Sequence, residues 1–85
     1  MKSILITGSG EGIGLECLKK FEQNNWNVVP HFFKFDKKFK NTKSYHNKIY
    51  CDFTNPEKFK IFLKKISKLK IDALINCEGI FDNSK

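Results

Sequence analysis

The sequence contains no arginine. All 16 of its basic residues are lysines, against nine acidic residues, which gives a formal net charge of +7. Proteins that read phosphates or bases usually rely on the planar guanidinium group of arginine. The lysine excess, with frequent Asn, Ile and Phe, is more typical of a compositional habit of the source genome. A lysine-rich nucleic-acid binder using residues 34–48 therefore remains only a remote alternative.

Cysteine, histidine and long apolar runs are also scarce. Cys17, Cys51 and Cys77 are far apart and form no Cys-x-x-Cys pair, so the sequence predicts neither a disulfide framework nor a zinc site. His31 and His46 belong to no ligand set and are interpreted as ordinary polar residues. No apolar run at the start is long enough for a signal peptide or a membrane span, so we expect a cytoplasmic protein.

Strand-like and helix-like patterns alternate along the chain, which predicts one α/β domain over residues 1–85 with a parallel sheet. The predicted strands cover residues 3–7, 26–33, 48–51 and 71–76. The predicted helices cover residues 11–24 and a segment that begins near residue 54.

Several local patterns refine this prediction. Pro30 lacks a backbone donor, so the second strand should bulge or end early there. Residues 34–48 are interpreted as an exposed loop, with room for one frayed helical turn. Thr54 and Glu57 have the spacing of a capping box at the start of the second helix. The apolar fourth strand is expected to be buried on both faces.

The most informative segment is Thr-Gly-Ser-Gly-Glu-Gly-Ile-Gly at residues 7–14, which contains four of the five glycines. It lies between the first strand and the first helix. Glycine permits a tight positive-φ turn and lets backbone amides approach a pyrophosphate. The helix N-terminus adds free amides and a partial positive charge. No Gly-Lys-Ser/Thr follows, so the segment is not a P-loop. A glycine-rich turn without a ligand is the alternative.

This segment resembles the Thr-Gly-x-x-x-Gly-Ile-Gly cofactor fingerprint of the short-chain dehydrogenase/reductase family. Two more segments resemble family elements in the same order. Cys51-Asp52-Phe53-Thr54 is similar to an Asp–apolar–Thr/Ser element after the third strand. Residues 74–79 are similar to an Asn-Asn-Ala-Gly element after the fourth, with Cys77 and Glu78 departing from it. The resemblance implies a partial Rossmann-like sheet of four strands in the order 3-2-1-4, with helices on its faces.

The resemblance also implies roles for individual residues. The glycines of the turn would surround the pyrophosphate, Asp52 would accept a hydrogen bond from the adenine amino group, and Phe53 would line the adenine pocket. The Glu78 carboxylate would oppose the pyrophosphate. The cofactor-binding residues implied in this way are Gly8, Ser9, Gly12, Ile13, Gly14, Asp52, Phe53, Asn76 and Gly79.

The choice between NADP and NAD is open. Asp36 stands about 20 residues beyond the turn, where an acid would bind a free 2′-hydroxyl. The family register instead points to Phe32 or Phe33, where no acid stands. Lys34, Lys37 and Lys38 would instead neutralise a 2′-phosphate, which slightly favours NADP over NAD. A purely solvated lysine run explains these residues at least as well.

No catalytic residue is predicted. Family catalysis uses a Tyr with a Lys four residues later as general acid/base. Four residues after Tyr45 is Ile49, and four after Tyr50 is Thr54. The chain alone is therefore expected to be inactive, as a truncated cofactor-binding half. It would need a missing C-terminal half or a second chain, or it would serve as a non-catalytic module that completes a partner.

Overall fold

The computed structural model describes residues 1–35, 37–40 and 42–77, and of Lys38 it describes only the backbone. In these residues the chain forms four strands, two α-helices and two short 3₁₀ helices. Their bounds are β1 Ser3–Thr7, α1 Gly12–Gln23, β2 Asn27–Phe32, 3₁₀ Lys37–Phe39, 3₁₀ Tyr45–Asn47, β3 Ile49–Tyr50, α2 Pro56–Ser67 and β4 Ala73–Asn76.

The four strands form one parallel sheet in the order β3-β2-β1-β4. This confirms the predicted α/β fold and the predicted strand order. Because all strands run in the same direction, their carboxyl ends lie along one edge, which we call the carboxyl edge. It is formed by the turn after β1, the segment after β3 and the end of β4.

A hydrophobic core lies on each face of the sheet. On one face, α1 and the connection between β2 and β3 cover the central strands, with Leu18 and Phe39 fully packed. On the other face, Phe62 of α2 packs against Leu5 and Val29. The described residues contain no helix that is long and apolar enough to cross a membrane.

Pro30 neither ends β2 nor bulges it, so that prediction was wrong. β2 continues to Phe32, and Pro30 stays in register with Ile6 of β1. Backbone groups of alternate residues face the same neighbour, and the Phe32 carbonyl accepts from Cys51 on the β3 side. The amide hydrogen that Pro30 lacks would therefore point toward β3. Because β3 begins to pair with β2 only at His31, Pro30 lies just outside that pairing.

Three other local predictions also need correction. The N-cap of α2 is Asn55, whose Oδ1 accepts from the amides of Glu57 and Lys58 at 3.0 and 3.1 Å, so the capping box at Thr54 does not form. The loop 34–48 is partly folded inward, with Phe39 buried. β4 is only partly buried on one face, through Ala73 and Ile75, and is exposed on the other, where Leu74 is 61 % exposed.

Candidate functional site

The turn after β1 is shaped by glycine at two positions. Gly8 and Gly12 have φ values of 66° and 58°, in the left-handed region that L-residues rarely adopt. The first reverses the chain at the end of β1, and the second directs it into α1. Gly10 is less constrained than these two glycines, because a Cβ at this position would make ordinary contacts of 3.5 Å with Phe32 and Phe39.

Gly14 allows α1 to pack closely against the turn. A Cβ at this position would lie 1.9 Å from the carbonyl oxygen of Gly8 and 3.3 Å from the Cβ of Cys77. No side chain fits this space. The last glycine of the segment therefore fixes how near the helix N-terminus lies to the sheet.

Among the described residues, nothing covers the N-terminus of α1 toward the carboxyl edge. The side chain of its N-cap residue, Glu11, forms no capping hydrogen bond. A Cβ on Gly12 would meet no described atom within 4 Å, and Ile13 is 75 % exposed. The first amides of a helix have no intrahelical partner. The amides of Gly12 and Ile13 are thus placed to donate to an anion above the turn.

The two residues at the start of the turn bond within the protein. The amide of Gly8 donates to Nδ1 of His31 at 3.1 Å, and the amide of Ser9 donates to the His31 carbonyl at 2.9 Å. The buried Ser9 hydroxyl donates to the carbonyl of Ile6 at 2.7 Å. These bonds hold the turn against β1 and β2, so the amides that follow Ser9 are the donors left for a phosphate.

Asp52 lies on the same carboxyl edge, directly after β3. Its Oδ1 accepts from the amide and the hydroxyl of Thr54 at 3.0 and 2.6 Å. These two hydrogen bonds, together with the charge of Lys58, hold the pKa of the exposed Asp52 carboxyl below its usual range. Oδ2 accepts no hydrogen bond within the described residues, so one oxygen of a fixed carboxylate is open to a donor such as an exocyclic amine.

Phe53 belongs to an aromatic cluster rather than to an open wall. Its ring is stacked on that of His31, with 4.2 Å between centroids and 6° between planes. It also meets Phe59 and Phe62 of α2 edge-on, at 5.2 and 4.9 Å. Phe53 remains partly exposed, so only the free part of its ring is able to line a ligand pocket.

Asn76 joins the end of β4 to the end of β1. The Thr7 hydroxyl donates to its Oδ1 at 2.6 Å. The amide of the next residue, Cys77, donates to the carbonyl of Thr7 at 3.2 Å. Asn76 thus helps to hold β4 to β1 beside the glycine turn.

His31 is the main residue of this edge that the sequence interpretation missed. It is fully buried, and its ring bridges the Gly8 amide and the Cys51 carbonyl, with 2.8 Å between Nε2 and that oxygen. A signal was present, since alternation along β2 places His31 on the apolar face with Val29, and a buried imidazole needs hydrogen-bond partners. Burial lowers its pKa, and the bond to the Cys51 carbonyl offsets part of that effect.

Only some of the residues proposed to bind the ribose lie in the described part of the chain. The ring of Phe32 is buried under the turn, stacked on Phe39 at 4.8 Å, so it presents nothing to a ligand. Lys34 and Lys37 are exposed just beyond the carboxyl end of β2. The proposed roles of Asp36, Glu78 and Gly79 fall on residues outside the described ranges, as does that of the Lys38 side chain.

The described residues form no metal centre, and both tyrosines are engaged in structural contacts. They contain no group of three or more His, Cys, Asp or Glu side chains arranged to hold a metal ion. The hydroxyls of Tyr45 and Tyr50 bond to each other at 2.9 Å, and the Lys48 ammonium lies over the Tyr45 ring, 4.5 Å from its centroid. These contacts hold the β2–β3 connection.

The chain was compared with models of protein families and with curated proteins. No family model matches it, and no curated protein matches it. The geometry of the carboxyl edge is therefore the basis on which a function is proposed.

Proposed function

We propose that the chain binds the adenosine and pyrophosphate parts of NADP or NAD, as the cofactor-binding portion of a short-chain dehydrogenase/reductase. One observation carries the proposal. The open helix N-terminus after Gly8 and the Asp52 carboxylate lie on the same edge of the sheet, joined through His31 by contacts of 3.1 and 2.8 Å. A dinucleotide needs both features within its own length.

The phosphates would be bound by the backbone of the turn. The amides of Gly12 and Ile13 would donate to the pyrophosphate, and the α1 dipole would add a partial positive charge. Gly12 leaves the room that a phosphate needs, since a Cβ there would meet no described atom within 4 Å. Glu11 is the unfavourable element, because its exposed carboxylate stands at the N-cap, so Glu11→Gln is expected to strengthen binding.

The base would be bound by the segment after β3. The open Oδ2 of Asp52 would accept from the adenine amino group, while Thr54 holds the carboxylate in place through Oδ1. The low pKa of Asp52 keeps it ionised, and therefore an acceptor, throughout the physiological pH range.

Affinity measurements with two aspartate variants test the proposal. Asp52→Asn should weaken NADP and NAD binding about tenfold, which corresponds to a loss of about 1.4 kcal/mol in binding free energy. Asp72→Asn is the matched control, because Asp72 lies at the opposite edge, where its Oδ2 accepts from the Ser3 amide at 2.8 Å. Equal losses in the two variants, or no binding to the unaltered chain in isothermal titration calorimetry, would exclude the proposed site.

The preference for NADP over NAD is proposed from the exposed lysines after β2. Lys34→Gln with Lys37→Gln should reduce the ratio of NADP to NAD affinity. The matched control is the pair Lys64→Gln and Lys65→Gln on the exposed side of α2. An unchanged ratio would indicate that residues 34–37 are merely solvated.

We propose that hydride transfer needs a Tyr-x-x-x-Lys pair from another polypeptide segment. The 85 residues alone would then be inactive. The proposed compartment is the cytoplasm. Leu74 is exposed on β4, the outermost strand on its side of the described sheet. This exposure supports an additional partner that packs beside β4. Reductase assays should show no NAD(P)H oxidation with the isolated chain. Turnover by the purified chain would refute this part of the proposal.

A further inference from the structure

His31 contacts both halves of the proposed nucleotide site. Nδ1 lies 3.1 Å from the amide nitrogen of Gly8, at the start of the phosphate turn. Nε2 lies 2.8 Å from the carbonyl oxygen of Cys51, next to Asp52. One face of the ring is stacked on Phe53, and Phe33 and Phe62 meet the ring at steep angles.

The two contacts define the protonation state of the ring. A backbone N–H is always a donor, so Nδ1 must present its lone pair to Gly8. A carbonyl oxygen is always an acceptor, so the ring proton must be on Nε2 and point to Cys51. Only the neutral Nε2–H tautomer satisfies both partners. The lowered pKa of the buried ring agrees with a neutral imidazole.

We propose that His31 is a positioning residue that holds the phosphate turn at a fixed distance from the adenine-contacting segment, and that protonation of its ring releases the turn and weakens nucleotide binding. The binding part of this inference rests on the proposed function. A proton on Nδ1 would place two donors, the ring N–H and the Gly8 N–H, against each other. The turn would have to move away, and the amides of Gly12 and Ile13 would move with it.

Neutral groups make the contacts described for the ring. Titratable residues on the elements that contact the ring include Cys51 and Asp52 after β3, and Glu57 and Lys58 in the first turn of α2. The Cys51 thiol donates to the Lys58 carbonyl at 3.5 Å, and the other three side chains are exposed. The glycine turn contributes no titratable group before Glu11. Acidification in the range where imidazoles titrate therefore acts on this edge mainly through His31.

The first experiment measures the tautomer. Long-range ¹H–¹⁵N spectra of the imidazole rings at neutral pH should show an unprotonated Nδ1 and a protonated Nε2 for His31. The chain has two histidines, so His46→Asn assigns the signals by removing one set. The opposite tautomer, or a doubly protonated ring at neutral pH, would overturn the proposal.

The second experiment follows NAD affinity as the pH is lowered from about 8 to about 5. NAD is the better probe, because the 2′-phosphate of NADP would itself titrate near pH 6, as phosphate monoesters do. Affinity should fall about tenfold in step with His31 protonation, and the Gly8 amide signal should shift with the same midpoint. His46→Asn should keep this profile. An affinity or a Gly8 signal that does not follow the His31 titration would contradict the proposal.

Two variants separate positioning from simple stability. His31→Phe keeps ring volume and stacking but removes both hydrogen bonds, so its affinity should be low at all pH values. His31→Asn keeps an acceptor near Gly8 and should recover part of the affinity without the pH dependence. If NAD does not bind the unaltered chain at any pH, the proposed function fails. In that case the positioning role is still tested in the unaltered chain, by whether the Gly8 amide signal shifts with the midpoint of His31 protonation.

Discussion

Replacing Gly14 by alanine tests whether close contact between α1 and the turn builds the site. The added Cβ would lie 1.9 Å from the Gly8 carbonyl oxygen and 2.8 Å from its carbonyl carbon, whereas real Cβ contacts stay beyond 3.0 Å. The helix must therefore move by about 1 Å, against backbone atoms that have no rotamer to adopt. Overpacking of this kind costs about 1–3 kcal/mol, and a rigid backbone neighbour favours the upper end.

An opposing effect reduces this cost without reversing it. Alanine is a better helix former than glycine by about 1 kcal/mol. The net loss for Gly14→Ala is then about 2 kcal/mol, or about 8–16 °C in Tm for a domain of this size. Gly10→Ala is the matched control, since its Cβ would make ordinary contacts of 3.5 Å, and we expect a change within about 0.5 kcal/mol.

Urea unfolding followed by fluorescence measures both variants. The single tryptophan, Trp26, packs edge-on against Phe21 of α1 with 5.1 Å between ring centroids, so its emission reports the loss of packing on this face. Linear extrapolation gives the free energy of unfolding. A Gly14→Ala protein as stable as the unaltered chain would show that the contact is not tight and that the turn geometry described above is wrong.

Three further predictions concern stability and association. Asn55→Ala should cost about 1 kcal/mol by thermal unfolding because it removes the N-cap of α2, whereas Ser67→Ala at the other end should change stability by less than about 0.5 kcal/mol. The exposed Leu74 side chain on β4 is expected to promote self-association, so Leu74→Lys should lower aggregation in light scattering with little loss of Tm; unchanged aggregation would show that this side chain does not drive association. The depressed pKa of His31 makes the unfolded chain bind more protons between the folded pKa and about 6.5, so the free energy of unfolding should fall as pH is lowered through that window, and His31→Phe should flatten the slope.

The sequence predicted the sheet well because the relevant signals were local and strong. Alternating strand and helix patterns, and four glycines at the junction of β1 and α1, predicted a parallel sheet with a glycine-rich turn after its first strand. The positions of Asp52 and Asn76 at that edge follow from the same topology, since both come directly after or at the end of a parallel strand.

Predictions failed where the outcome depended on neighbouring strands. Pro30 is tolerated because β3 is only two residues long and begins opposite His31, and neither fact is visible in β2 itself. The apolar β4 was expected to be buried on both faces, yet α2 covers the middle of the sheet and leaves Leu74 exposed. His31 was passed over because its partners, Gly8 and Cys51, are more than 19 residues away in sequence.

The N-cap of α2 shows how two neighbouring residues compete for one role. Thr54 and Asn55 both have side chains that cap helices. Thr54 instead donates its hydroxyl to Asp52 at 2.6 Å, which leaves Asn55 to accept from the first amides of the helix. The same hydrogen bond orients the carboxylate that is proposed to bind adenine, so the capping error and the candidate site have one physical cause.

The most direct test of the central claim is a ¹H–¹⁵N titration of the chain with NADP up to millimolar concentration. If one nucleotide spans the carboxyl edge, the amides of Gly12 and Ile13 should shift along the same binding curve as those of Asp52 and Phe53, while the amide of Lys68, at the far end of α2, stays in place. Shifts confined to one of the two segments, different curves for the two, or no shift at all would contradict the claim.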